Sequence, residues 1–397
     1  MPAVGVALAF GVAAAVWIAA GDLLPGGRWL AVHLFTLGVL TNVIVAFTQH
    51  FGQTVTRADT RDWRWQPPVL NVGVALVLIG VTTGAIWAIA GGATIATAVV
   101  FVSYLRLRRM RRQSVGARFA WIARIYERAH GSFIHGAILG LLLGIGALPG
   151  SWYGAGRVAH LHVNVLGWAG LTLLATVVFF GPTMLRTRIE HGADARAAEA
   201  LRHGATALTI AVFLLLATGV GGYPGTVLRV LAAAALGVYA WAATIVCLPV
   251  LRAARAAKPT AARPPLIALC AWFPALVWAD VAIVASGQLQ LLDALGVAAL
   301  AGVLAQAVAT ALSYIAPAVR GHSTADRSLL IARLTRGAAT RTIVYNLGVA
   351  ALVLAAADVT TRATVATGLT AAGWVFAIGA LGTQVAVVAW PVTTARR

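Results

Sequence analysis

Apolar residues run along this chain in long blocks rather than in stripes one helix face wide. Twelve such blocks can be drawn, over residues 3–20, 30–51, 68–90, 91–107, 130–149, 158–184, 204–222, 226–250, 265–286, 291–317, 342–358 and 364–389. A bilayer core of ~30 Å takes about twenty helical residues to cross. Within hydrocarbon every backbone amide needs a partner inside its own segment, which leaves the helix as the natural element for such blocks. The pattern therefore predicts an all-α integral membrane protein of about twelve transmembrane helices. Between the third and fourth blocks only Gly91-Gly92 offers a turn, so these two spans are expected to meet there with almost no loop.

The blocks are not independent of one another. Residues 33–57, HLFTLGVLTNVIVAFTQHFGQTVTR, lie over residues 162–186 at a constant offset of 129. His33, Leu37, Gly38, Ala46, Phe51, Gly52, Thr54 and Arg57 meet His162, Leu166, Gly167, Ala175, Phe180, Gly181, Thr183 and Arg186 without a gap. Leu and Ala match cheaply in so apolar a chain, whereas His, Phe, Thr and Arg do not, and self-similarity at a fixed period marks a duplication. The copies are the second and sixth spans, so the unit that repeats is four helices long. A further shift of 135 brings Gly167 over Gly302 and Pro182 over Pro317 in the tenth span, with Val297 where His162 stands. Three pseudo-repeated four-helix groups follow, over approximately 1–110, 128–250 and 264–390, forming one polytopic membrane domain.

Composition agrees with the pattern: 60% hydrophobic residues, 10% charged and a mean hydropathy of +0.87 exclude a water-soluble globule. Charge adds orientation. With the N-terminus cytoplasmic, 26 of the 30 basic residues fall on the inner side, leaving only Arg28, Arg157, Arg229 and Arg362 outside. The inner set includes Arg61, the run from Arg106 to Arg128, the five from Arg320 to Arg341, and Arg396 with Arg397. The positive-inside rule then puts both termini in the cytoplasm of a multi-pass plasma-membrane protein. The net charge of +19 is accounted for by topogenesis and by attraction to anionic lipid, so the bilayer is the partner it implies and nucleic acid is not. The first apolar run lacks a basic leader and is expected to be a span rather than a cleaved signal. Arg-rich inner loops such as 106–129 and 320–341 are expected to form short helices at the membrane surface. Cys247 and Cys270, in or beside apolar spans, read as small core residues.

The chemistry is carried by histidine. Imidazole is costly in hydrocarbon unless it is paired, so each intramembrane His is a candidate functional group. The second and sixth spans run from outside to inside, which sets His33, His160 and His162 in one outer layer. His50 lies ~25 Å deeper at 1.5 Å per residue, and His130 and His135, at the start of the fifth span, share that inner layer. His160 and His162 point ~200° apart on a regular helix, so they cannot share one metal from it. His33 and His162, being pseudo-equivalent, are expected to face a common axis and are the first candidate ligands, with His160 next and His135 fourth. Neutral imidazole suits a heme iron or copper; equally, each ring can hydrogen-bond a carbonyl across a helix pair. Asn164 can orient an imidazole or glue helices together. Asp280 is a buried acid in the ninth span. Gly38, Gly167 and Gly170 read as close-approach positions, and Trp152, Tyr153 and Trp168 as interface anchors.

The segment AHLHVNVLGWAGLTLLATVVFFGPTMLRTR, with twelve spans in three groups, resembles subunit I of the heme-copper oxidases and, more closely, their NnrS-like non-oxidase relatives. HLFTLGVLTNVIVAFTQHFGQTVTR is similar to the NnrS pattern of a span that opens on a His and ends in His, Gly and Arg. The resemblance implies heme b or copper as cofactor, a redox partner protein, and a part in nitric oxide response, denitrification or electron transfer. The sequence departs from the oxidases where their chemistry is held. The seventh span has only His203 at its inner end, the tenth has no His, and no span carries Glu or Lys, so an oxygen-reducing proton pump is not expected. The alternative is a permease or a metal or cofactor assembly factor with a histidine-lined pathway from His33 and His162 to His50 and His135; a third is a structural subunit.

Overall fold

The computed structural model describes residues 2–58, 64–114, 118–358 and 363–389; of the basic residues named above, Arg61, Arg362, Arg396 and Arg397 lie outside them. The described residues form helices and no strand. In chain order the helices are α1 (Pro2–Ala20), α2 (Gly27–Thr56), α3 (Gln66–Thr83), α4 (Ile86–Gln113), α5 (Ala120–Gly144), α6 (Ser151–Leu185) and α7 (Ala193–Ala217). There follow α8 (Gly222–Ala256), α9 (Arg263–Ser286), α10 (Leu289–Arg320), the short α11 (Thr324–Thr335), α12 (Ala338–Ala356) and α13 (Ala363–Ala389). Eleven of the twelve apolar blocks lie mainly on one longer helix each, while the block 68–90 runs through α3 and across a turn into α4. Ten of the longer helices, all but α1 and α5, are long and apolar enough to cross a membrane, so the chain is an all-α, multi-pass membrane protein. Helix α5 carries Arg124, Glu127 and Arg128 in its first half.

Two local expectations change. The turn between the third and fourth spans is at Gly84, in the left-handed region at φ 71°, and Ala85, while Gly91 and Gly92 sit inside α4. The reason is packing: a Cβ on Gly92 would lie 2.6 Å from the Gly73 carbonyl oxygen and the Val77 nitrogen, so the α3–α4 hairpin meets backbone to backbone. Of the two inner loops, 320–341 contains a separate helix, α11, opened by a capping box in which Ser323 and Asp326 bond each other's backbone amides at 3.0 and 3.1 Å. The 106–129 stretch instead lengthens α4 and α5.

The fold divides into two compact units, residues 1–175 with 201–239, and residues 176–200 with 240–397. In the first, α2 and α6 each contain a π-helical turn, at Leu34–Leu40 and Val163–Gly170. In the second, α10 contains another, at Ala298–Ala305. The turns begin at residues 34, 163 and 298, which are 129 and 135 apart, the offsets of the sequence alignment. His33, His162 and Val297 immediately precede them. A glycine inside each turn takes a side chain from the preceding long helix: Gly38 takes Phe10 of α1, Gly167 takes Ser132 of α5 and Gly302 takes Trp272 of α9. A π turn widens the helix and misaligns a carbonyl. The Leu166 carbonyl accepts the Tyr239 hydroxyl at 2.8 Å, and the Ala301 carbonyl accepts that of Tyr345 at 2.7 Å.

The two units also share a polar motif. In the first, Asn42 of α2 and Asn71 of α3 exchange amide bonds at 2.8 and 2.9 Å. One helical repeat further along, Gln49 donates to Gln66 at 2.7 Å and to Ser103 of α4 at 3.0 Å. In the second unit Asn346 of α12 donates to Gln306 of α10 at 2.8 Å, and Gln384 of α13 donates to Ser313 of α10. The hairpin glycines recur as well: a Cβ on Gly348 of α12 would lie 2.7 Å from the Gly373 carbonyl of α13. Counterparts keep constant offsets: 264 for 42 to 306 and 49 to 313, 275 for 71 to 346 and 73 to 348, and 281 for 92 to 373 and 103 to 384.

Candidate metal centre

His33 closes the first α-helical segment of α2, one residue before the π turn. Its Nδ1 lies 2.8 Å from the Trp29 carbonyl, and its ring stacks on the Trp29 indole with centroids 4.0 Å apart and planes inclined by 20°. A carbonyl can only accept, so Nδ1 carries the proton and Nε2 keeps its lone pair. His160 stands on α6, in the same unit as His33. Its Nδ1 is 2.9 Å from the carbonyl of Gly136 on α5, which fixes the same tautomer. The ring sits on Gly140, where a Cβ would come within 2.8 Å of Cε1. Asn164, one turn along α6, donates to the His160 carbonyl at 2.8 Å, and its amide nitrogen lies 3.4 Å from His160 Nδ1. Gly136 leaves the space that the Asn164 amide occupies. Both neutral rings are thus oriented through Nδ1, the way a protein holds a metal-binding imidazole.

His162 is fully buried, with Nδ1 2.7 Å from the Val158 carbonyl. H-x-H therefore sends one ring across to α5 and folds the other back on its own helix, the divergence expected from the helical angle. His135 is exposed, with its ring edge-on to Phe213 at 6.0 Å. His50, His191, His203 and His322 are also exposed.

The sequence ranking passed over His130, which is fully buried on α5. Its Nδ1 lies 2.8 Å from the Tyr126 carbonyl, and its ring meets Trp168 edge-on, with centroids 4.8 Å apart and an angle of 89°. His130 Nε2 and Trp168 Nε1 are both buried without a hydrogen-bond partner. Trp168 is 3% exposed and packs inside the first unit, not at a membrane interface. The available signal was the stripe Ile122, Tyr126, Ala129, His130 and Phe133, whose helical spacing puts His130 on the buried face. The amides Asn42, Asn71, Gln49 and Gln66 were missed because their partners lie on different helices and nothing in the local sequence pairs them.

Asp280 is 1% exposed within α9, and Cys247 and Cys270 are buried free thiols, as core residues. Among the described residues no three His, Cys, Asp or Glu side chains converge on one point. Any ion held at His33 and His160 therefore has two protein ligands of these types from the described residues. No protein-family model matches the chain, and no curated protein matches it in sequence.

Proposed function

We propose that this chain is a membrane metalloprotein of twelve spans in three four-helix groups, related to heme-copper oxidase subunit I and its NnrS-like relatives, with His33 and His160 as its metal ligands. The grouping is supported by the π turns at offsets of 129 and 135, the glycine contact repeated at Gly38, Gly167 and Gly302, and the polar motif at offsets of 264, 275 and 281. The observation that carries the site is that His33 and His160, in one compact unit, are each tied through Nδ1 to a carbonyl, which leaves each Nε2 free to bind a metal. Their donor chemistry fits copper, and the close seating of His160 on Gly140 suits a small ion better than a macrocycle. Copper held there supplies one-electron chemistry and an affinity for nitric oxide. This chain's own residues hold and orient the two rings: Trp29 and Gly136 fix the tautomers, and Asn164 steadies the α6 backbone at His160. The role is electron transfer or nitric oxide handling with a redox partner, in the plasma membrane with both termini cytoplasmic.

The test is metal and optical analysis of the detergent-purified protein, as isolated and after dithionite, with nitric oxide added to the reduced sample, followed by Cu(I) titration against a chromophoric chelator. One equivalent of copper is expected in the wild type, lost in His33→Ala and His160→Ala and retained in His135→Ala. A reduced heme spectrum that disappears in His162→Ala would transfer the site to heme b. A protein that binds neither would sink the proposal. The second reading, a permease or assembly factor, is favoured by the polar column along α2, where Asn42, Asn71, Gln49, Gln66 and Ser103 break the apolar interior. Transport assays would then follow.

A further inference from the structure

The second unit holds a cavity of about 50 Å³ whose polar lining comprises Gln306, Thr310 and Ser313 of α10, Arg341 and Thr342 of α12, and Gln384 of α13. Gln306, Thr310 and Ser313 are 3–4% exposed, so its floor is well inside the unit. At roughly 10–15 Å³ per water, it takes a few waters or one small ion. A cavity of this size is far below the several hundred Å³ of a drug-sized ligand.

Among the described residues, Arg341 is the only charged one in the lining. Its Nε donates to Gln384 Oε1 at 2.6 Å, Nη1 to the Arg336 carbonyl at 2.9 Å and Nη2 to the Leu334 carbonyl at 2.5 Å. All three acceptors are neutral, and a guanidinium has five N–H groups, so two donors and the whole positive charge remain uncompensated by these bonds. Arg341 is only partly buried, so these donors are open to an anion arriving from solution. The first unit solves the same position differently. There α4 contributes Arg106, 8% exposed, whose Nη1 reaches Gln49 at 2.6 Å. At the offset of 281 the residue on α13 is Val387, too short to follow. Exchange of a long cation for a short apolar side chain makes room at that level of the motif, while Arg341 brings the charge from α12.

We propose that this cavity binds a small monovalent anion, held by Arg341 and by the second amide N–H of Gln306 and of Gln384. Each amide commits one N–H, to the Gly302 carbonyl and to Ser313 respectively, while the Thr310 and Ser313 hydroxyls donate to carbonyls of their own helix. The ligand chemistry is one negative charge on a halide or an oxyanion, supplied either by a free ion or by the phosphate of an anionic lipid. The site lies in the second unit and its test involves no metal, so it stands or falls apart from the copper proposal.

The experiment follows thermal unfolding of the metal-stripped full chain in detergent, in gluconate buffer at constant ionic strength, while chloride, bromide or formate replaces gluconate. A saturable rise of about 2 °C or more is expected, since a ligand specific to the native state stabilises it by mass action. Arg341→Gln, which removes the charge, and Ala309→Leu, which fills the cavity and leaves Arg341 in place, should both abolish the rise. A parallel arm compares micelles containing phosphatidylglycerol with micelles containing phosphatidylcholine. A shift seen only with phosphatidylglycerol, and lost in Arg341→Gln, keeps the anion site and identifies its occupant as a lipid phosphate. No shift in the wild type with any anion or lipid overturns the proposal without reference to the variants, as does a shift that survives both substitutions.

Discussion

Tyr239 donates its hydroxyl to the carbonyl of Leu166 at 2.8 Å, inside the π turn that follows His162. A π turn leaves a carbonyl without its usual intrahelical partner, and hydrocarbon offers no water to replace it. Tyr239 is fully buried, so its phenol is shielded from solvent as well. Tyr239→Phe keeps the packing and removes only the bond. We expect a loss of about 1–2 kcal/mol, read as a lower unfolding temperature in detergent. Tyr345→Phe, which frees the Ala301 carbonyl, should cost the same amount. If both variants unfold like the wild type, the two carbonyls are satisfied without the hydroxyls.

The hairpin glycines separate space from flexibility. A Cβ on Gly92 would meet two backbone atoms of α3 at 2.6 Å, and backbone cannot step aside. Gly91, its neighbour in the same helix, has nothing within 4 Å of a built Cβ. Gly92→Ala should therefore destabilise the protein by about 2 kcal/mol or more, within the range of overpacking costs. Gly91→Ala should be neutral, or stabilising by about 0.5–1 kcal/mol through helix propensity. Gly348→Ala in the second unit should follow Gly92→Ala. Unfolding temperatures of the three variants measured side by side decide it.

Much of this architecture was legible in the sequence because hydrocarbon is a demanding solvent: eleven of the twelve apolar blocks lie mainly on one longer helix each. The offset at which His33 aligns with His162 recurs in the π turns, but the turns themselves were not foreseen, since nothing in composition announces one. What stayed hidden depends on partners brought together across sequence. Gln49, Gln66 and Ser103 are far apart in the sequence and become a network only when α2, α3 and α4 pack. His160 was read as secondary to His162 because the repeat matches His162; which of the two rings crosses to the Gly136 carbonyl and which folds back on Val158 emerges only from the packing of α6 on α5. Gly91-Gly92 read as a turn because glycine both breaks helices and allows them to touch, and only the facing Gly73 distinguishes the two.

Gly140 gives a handle on the proposed copper site that leaves every ligand in place. An added Cβ would stand 2.8 Å from His160 Cε1, so the ring has to turn away from its bond to Gly136. Loss of an orienting contact typically lowers metal affinity by about 10–100-fold. Gly140→Ala should weaken Cu(I) binding by that order, as measured by chelator competition. Gly131→Ala on the same helix, with nothing within 4 Å of its Cβ, should leave it unchanged. Equal affinities in the two variants would mean that His160 does not bear on the metal.

His130 presents the opposite problem, a polar atom with nothing to meet. Nδ1 is committed to the Tyr126 carbonyl, so Nε2 is a bare acceptor, buried and unpartnered against the edge of Trp168. Burial of such an acceptor costs about 1–3 kcal/mol relative to a bonded one. His130→Phe removes that acceptor, and a phenyl ring can occupy much of the imidazole's place against Trp168. In the dry interior the substitution should be neutral or raise stability by about 1 kcal/mol, read from the unfolding temperature. A loss of 2 kcal/mol or more would show that Nε2 is engaged in the working protein, and the unpartnered Trp168 Nε1 beside it would make a shared water or small polar ligand the first thing to look for.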